Sequence, residues 1–268
     1  MTVAEWLNNA STQFTRAGIS TARLDAEIIL AHTLHKSRTW LHAHDNETLA
    51  PRLIEIANAR LDLRLDRTPI AYIIGHKEFY TRSFKVTPSV LIPRPESESL
   101  IELLGKHLPT NAKRLIDVGT GSGCLGITAK LEFPELNVTL ADISRHALKV
   151  AESNASVLHA ETTLIQSDLL SEAPGLFDVV IANLPYVDKE WERSPETDQE
   201  PSLALFAEHA GLALIERLLE QLPEALNNSG LVLLEADPCQ HEAIISLGTK
   251  LGLKHIETEG YAIALVKD

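Results

Sequence analysis

The run Leu115-Ile116-Asp117-Val118-Gly119-Thr120-Gly121-Ser122-Gly123-Cys124-Leu125-Gly126 restricts the fold more than any other part of the chain. Residues 115–118 read as a short buried strand. Glycines at 119, 121 and 123 then permit a tight turn in which backbone can approach a ligand closely. Residues 124–133 read as the helix that follows, and residues 138–141 as a second strand, ending at Asp142. Strand, glycine turn, helix and strand in succession open a doubly wound parallel sheet.

Two ligand classes compete for this loop. Gly121, Gly123 and Gly126 match the dinucleotide pattern G-x-G-x-x-G, with Asp142 at the spacing expected of a ribose-binding acid. In the other frame the motif is Asp117-x-Gly-x-Gly-x-Gly, with an acid inside the strand end. That form suits a ligand without a pyrophosphate, such as S-adenosylmethionine, held by Gly119, Thr120, Gly121, Ser122 and Gly123 with both ribose hydroxyls on Asp142. Residues 163–169 read as a third strand ending in an acid. Asp168 would accept from an adenine amino group, with Leu169 against the ring; the plainer role of Asp168 is a helix or turn cap.

A second motif favours the methyl-donor frame. Residues 177–182 form an apolar strand that ends in Asn183-Leu184-Pro185-Tyr186. The Asn183 side-chain carbonyl and the backbone carbonyl of Leu184 can each accept one N–H of a planar NH2 group. Pro185 fixes its own φ and removes a donor, which aims the carbonyl before it. The Tyr186 ring can cover the flat face of the bound group. Such a grip has no use in hydride transfer, but it suits an amide or amine nitrogen about to attack a methyl group.

The chain has 268 residues, enough for one large or two ordinary domains. No apolar run reaches the ~18 residues of a membrane helix, and no secretory leader is evident. Cys124 and Cys239 have neither metal spacing nor a disulfide framework. These features lead us to expect a soluble cytoplasmic protein with no metal site. The net charge is −13, which argues against broad nucleic-acid binding by counterion release. Residues 1–70 hold 8 basic and 8 acidic residues, and the rest hold 16 and 29, so the rear of the chain carries the whole excess. A neutral front and an acidic rear suggest domains with different partners. With no evident exposed apolar helix, a monomer is expected.

Residues 1–70 show helical periodicity at Val3, Trp6, Leu7 and Phe14, at Leu24, Ile28, Ile29 and Leu34, and after Pro51, which predicts a small helical bundle. His32, His35, His42 and His44 fall in it without acids or cysteines at metal spacing, so they read as core-edge and surface residues. Residues 71–95 read as a β-hairpin hinge, with strands at Ile70–Gly75 and Glu78–Val86, ending in the stiff elbow Pro93-Arg94-Pro95. Residues 96–268 alternate strand and helix; strands are expected near Leu231–Glu235 and Tyr261–Val266, with a helix near Glu242–Leu251 between them.

Taken together, Pro69-Ile70-Ala71-Tyr72-Ile73-Ile74-Gly75, Phe79, Leu91-Ile92-Pro93-Arg94-Pro95-Glu96, the 117–123 loop, Asn183–Tyr186 and Glu200-Pro201-x-x-Ala204-Leu205 resemble the peptide-chain release-factor glutamine N(5)-methyltransferases over nearly the whole chain. The resemblance implies a Rossmann-like seven-stranded methyltransferase domain behind a helical bundle and hairpin hinge. It also implies S-adenosylmethionine at residues 119–123, Asp142 and Asn183. The implied substrate is the glutamine of the Gly-Gly-Gln loop in class 1 release factors, gripped by residues 183–186. The chain departs from the family pattern at three places: Leu184 stands where proline is usual, Leu169 where an aromatic residue is frequent, and no Asp-x-x-Gly-x-x-Arg segment occurs in residues 257–268. Rival readings are an adenine N(6)-methyltransferase of ribosomal RNA or DNA, a methyltransferase of a ribosomal-protein glutamine, and a non-catalytic S-adenosylmethionine-binding module.

Overall fold

The computed structural model describes residues 1–188, 190–191 and 195–268. Their packing divides them into two units, residues 1–76 with 195–199 and residues 77–191 with 200–268.

The first unit is helical. Helix α1 (Val3–Arg16) starts at a capping box in which Thr2 and Glu5 satisfy each other's backbone N–H. Val3, Trp6, Leu7, Ala10 and Phe14 recur at three- and four-residue steps and are buried, the pattern of an amphipathic helix. Helix α2 (Ala22–Leu34) is buried over much of its surface. Short α3 (Arg38–Ala43) is capped by Ser37, and α4 (Pro51–Leu65) begins with proline at its first turn. Apolar side chains of these helices make one core. Its buried charge is paired: Arg64 Nε lies 2.7 Å from Asp25 Oδ2. Arg64 also reaches Glu196 at 3.0 Å, and Arg67 reaches it at 3.3 Å, which brings residues 195–199 to this unit.

The segment expected to begin the hairpin is helical instead. Helix α5 (Ile70–Ile74) follows Pro69 and stops at Gly75, whose φ of 78° is left-handed. Tyr72 and Ile73 both bond back to the Pro69 carbonyl. The β-branched run reads as strand by composition, but only one helical turn fits between proline and glycine. Ile70 and Ile73 then pack on the helical core. The hairpin is shorter, β1 (His76–Phe79) and β2 (Arg82–Lys85), joined through Tyr80 and Thr81 at φ 47° and 64°, the handedness that two-residue hairpin loops require.

The second unit is built on a seven-stranded sheet. Its elements are α6 (Glu98–His107), β3 (Arg114–Val118), α7 (Cys124–Glu132), β4 (Asn137–Asp142), α8 (Arg145–Val157), β5 (Thr162–Gln166), β6 (Phe177–Ala182), α9 (Ala213–Ala225), β7 (Leu226–Glu235), α10 (His241–Lys250), β8 (Leu253–Glu259) and β9 (Ala262–Lys267). The strand order is β5-β4-β3-β6-β7-β9-β8, with β9 antiparallel to both neighbours and the remaining pairs parallel. Alternate residues of the central strands face opposite ways. Leu115, Val179 and Ile181 join the core under α6, α7 and α8, and Ile116, Val118 and Val180 join the core under α9 and α10. Strand β8 was not expected from the sequence: it is a largely exposed edge strand carrying Lys254, His255, Glu257 and Glu259. Among the described residues, no helix is long and apolar enough to cross a membrane.

The chain runs outward from β3 through β4 to β5 on one side, then returns to β6 and β7 on the other. The crevice beyond the carboxyl ends of β3 and β6 is therefore the topological switch point, where open α/β sheets place ligands.

Candidate active site

The glycine loop leaves β3 and bends at once. Gly119, Gly121 and Gly123 have φ of 73°, 56° and 82°, values that a side chain would strain. The Gly119 and Thr120 N–H groups both donate to the Ala141 carbonyl at 2.9 Å. Asp117, 1% exposed, organises the inside of the turn: Oδ2 accepts the Thr120 hydroxyl at 2.6 Å and the Gly126 N–H at 2.9 Å. Its Oδ1 has no hydrogen-bond partner among the described residues. Burial pushes this carboxyl up to about 6, against the pull of those two donors.

Asp142, at the end of β4, faces the loop from the neighbouring strand. Its Oδ2 accepts the Gly121 N–H at 2.9 Å and its Oδ1 the Ser144 N–H at 2.8 Å. One donor on each oxygen leaves lone pairs for two adjacent hydroxyls. Burial raises its pKa, and the two backbone donors oppose the rise.

Asn183 follows β6, and its Nδ2 donates to the Ser97 hydroxyl at 3.0 Å. Leu184 is buried and closes over the glycine loop; a Cβ on Gly119 would stand 2.9 Å from its Cδ2. Pro185 completes this wall.

These groups surround one cavity of about 440 Å³, within the range of small-molecule sites. Gly119, Thr120, Gly121, Ser122, Asp142, Asp168, Leu169, Asn183, Leu184 and Pro185 all line it. Gly123 does not; it turns the loop into α7. Tyr186 does not line it either. Its ring packs on the core beneath the sheet, and its hydroxyl donates to Glu235 Oε1 at 3.0 Å. The ring expected to cover a bound group is held toward β7 here.

Asp168 forms an ion pair with Arg217 at 2.7 Å, and its N–H donates to Glu172. Leu169 sits at a left-handed φ of 55° and is mostly buried. Val90, Leu91, Pro93, Leu125, Ile143 and Leu203 give the cavity an apolar wall, and Arg94, His146 and Arg217 also line it. Polar loop, paired acids and apolar slot fit a molecule with a ribose, a flat base and a charged tail, as S-adenosylmethionine has.

Several residues hold the site in ways the sequence reading did not assign, although Glu200 was among the residues that carried the family resemblance. Glu200 Oε2 accepts the Ile92 N–H at 3.1 Å, and its other oxygen pairs with Arg94, so Glu200 pins the proline elbow against the cavity. Asn154 in α8 donates to the Ser122 carbonyl at 2.8 Å, and it exchanges two hydrogen bonds with the Lys85 backbone. Gln240 holds the Tyr186 carbonyl at 2.9 Å. Glu235 ends the apolar strand β7 in an acid, the same signal that marks Asp142 on β4, and this signal could have found it.

Comparison with known proteins agrees with this geometry. Residues 5–75 match the family model described as PrmC N-terminal domain, and residues 97–199 the one described as Methyltransferase small domain. Among solved structures, a methyltransferase from Pyrococcus furiosus superposes with a TM-score of 0.53 at 20% identity, covering 78% of this chain and 95% of that one. The T. thermophilus 16S rRNA N2 G1207 methyltransferase, solved with AdoMet and guanosine, gives 0.56 at 14% identity over 72% of this chain and 49% of that one. At these identities the two share the fold. The release factor glutamine methyltransferase of Koribacter versatilis is 37% identical over 89% of both chains. That of Coxiella burnetii is 35% identical over 96% of this chain and 93% of its own, and that of Escherichia coli K12 33% over 96% and 94%. Identity at this level, over most of both chains, means that the chain belongs to the release factor glutamine methyltransferase family.

Proposed function

We propose that the protein transfers a methyl group from S-adenosylmethionine to the side-chain amide nitrogen of the glutamine in the Gly-Gly-Gln loop of a class 1 peptide-chain release factor. The observation that carries this reading is that Asn183 shares one cavity with the glycine loop and Asp142, so one opening serves both a donor and an amide.

In this reading Asp142 takes the ribose hydroxyls, the 119–122 backbone lies along the donor, and Asp168 and Leu169 flank the base. S-adenosylmethionine supplies an activated methyl on a sulfonium. An amide nitrogen is a poor nucleophile because its lone pair is delocalised. The Asn183 side-chain carbonyl and the Leu184 backbone carbonyl each accept one of its N–H groups, which raises electron density on nitrogen and fixes its direction. Position and fixed dipoles then do most of the catalysis. No strong base is required, because the N–H proton becomes acidic once the methyl has arrived. We further propose that the protein acts as a cytoplasmic monomer, with the helical unit recognising the release factor and with no nucleic-acid partner.

A tritiated methyl-transfer assay with purified release factor tests this, comparing the Gly-Gly-Gln form with a Gln→Ala form. Label on the first alone is expected. Label on both, or on neither while ribosomal RNA or a ribosomal protein is labelled, overturns the assignment of substrate.

A further inference from the structure

Glu235 is a buried carboxylate that the mechanism above leaves without a task. It follows Leu234 on β7, Asn183 follows Ala182 on β6, and Ala182 and Leu234 are register partners, so the two side chains leave adjacent strand ends. Glu235 is 2% exposed. Its Oε1 takes the Tyr186 hydroxyl, and its Oε2 has no hydrogen-bond partner among the described residues. Asn183 and Ser97 lie beside it and favour its charged form without completing a bond to Oε2.

This placement bears on an ambiguity in the substrate grip. An asparagine amide has two edges of equal shape, one a carbonyl acceptor and the other an NH2 donor. The proposed chemistry requires the carbonyl edge to face the substrate NH2; the flipped amide would set donor against donor. Ser97 alone cannot choose, because a hydroxyl both donates and accepts. A carboxylate only accepts, so it attracts the NH2 edge and repels the carbonyl.

We propose that Glu235 is a positioning residue that holds the Asn183 amide with its NH2 inward, on Ser97, and its carbonyl turned to the cavity. The inference rests on the methyl-transfer reading given above. Tyr186 supports the arrangement by donating its hydroxyl proton to the same carboxylate, which ties the first and last residues of the Asn-Leu-Pro-Tyr turn to one group. Burial raises the Glu235 pKa, neighbouring Ser97, Tyr186 and Asn183 oppose the rise, and nearby Glu96 adds to it. Protonation would turn part of the acceptor into a donor and release the preference.

The test is steady-state methyl transfer by E235Q, E235D and N183A, with donor affinity measured by calorimetry on each. Glutamine keeps the shape of Glu235 but can present its own NH2, so E235Q is expected to lower kcat about tenfold or more, with donor Kd within about twofold of wild type. Aspartate is smaller but keeps the charge, so E235D is expected to retain more kcat than E235Q. A role in packing alone would reverse that order. The acid limb of the kcat–pH profile should shift or vanish in E235Q, and E235Q should cost little further in an N183A background. Wild-type kcat in E235Q, or E235Q outperforming E235D, overturns the positioning role while leaving the active-site reading intact. Near wild-type turnover by N183A overturns both.

Discussion

Glu200 accepts the backbone N–H of Ile92 at 3.1 Å, although 108 residues separate them in sequence. The bond sets the far wall of the cavity, since Pro93 and Arg94 follow directly and line it. Glu200 is buried; without it, the Ile92 N–H loses its acceptor inside the protein. We expect E200A to destabilise the protein by about 1–3 kcal/mol and to weaken binding of S-adenosylmethionine. Urea unfolding and calorimetry check this, and an unchanged unfolding midpoint would show the elbow to be held by other means.

Asp142 and Asn183 should separate binding from chemistry. D142A removes both carboxylate oxygens proposed to take the ribose hydroxyls and also frees the Gly121 and Ser144 N–H groups. Donor Kd is expected to rise about tenfold or more, the scale of charged hydrogen bonds. N183A should leave donor binding nearer to wild type and cut kcat about 10²-fold, the scale for one oriented polar group. If the two variants show the same pattern, the division of labour is wrong.

Gly211 guards the back of the Asn-Leu-Pro-Tyr turn. Its φ is 84°, and an added Cβ would come within 1.9 Å of the Tyr186 carbonyl oxygen. G211A must move that carbonyl, which Gln240 also holds. A lower melting temperature is expected, from a loss of roughly 1–3 kcal/mol, together with reduced turnover. Full activity in G211A would mean that the turn tolerates displacement.

Asp117 gives a pH signature. Its folded pKa, about 6, lies above the free value of 3.8, so the folded state holds the proton more tightly than the unfolded chain. The stability it contributes is complete below about pH 4 and is lost as pH rises through about 6, by up to about 3 kcal/mol. D117N has nothing to titrate, so its unfolding free energy should vary less across that window than wild type. Parallel curves would place the acid-range dependence on other groups.

The parts of this fold that were legible are those where local chemistry and burial coincide. Alternation from residue 96 onward gave the doubly wound sheet, and the three left-handed glycines gave the turn after β3. Asp142 was readable because an acid closing an apolar strand has few other reasons to be there. The helix at Ile70–Ile74 was hidden because its composition favours strand, and proline and glycine at its ends decided otherwise. Strand β8 was hidden because an edge strand needs few apolar residues. Asn154 was invisible for a different reason, and Glu200, though part of the quoted motif, had no readable role: their partners include backbone groups far away in sequence, which nothing local announces.

The three hydrogen bonds of Asn154 also bear on how the molecule opens. They join β2 at Lys85 to the glycine loop at Ser122 through one side chain that is 3% exposed. A two-stranded ribbon on its own frays readily, and its amides would exchange with solvent early. Here the Lys85 amide leaves Asn154 only if α8 or the ribbon moves, so hairpin and glycine loop are expected to open together. The ribbon thus acts as a clasp, and the glycine loop is expected to show the exchange protection of the sheet rather than that of a surface turn.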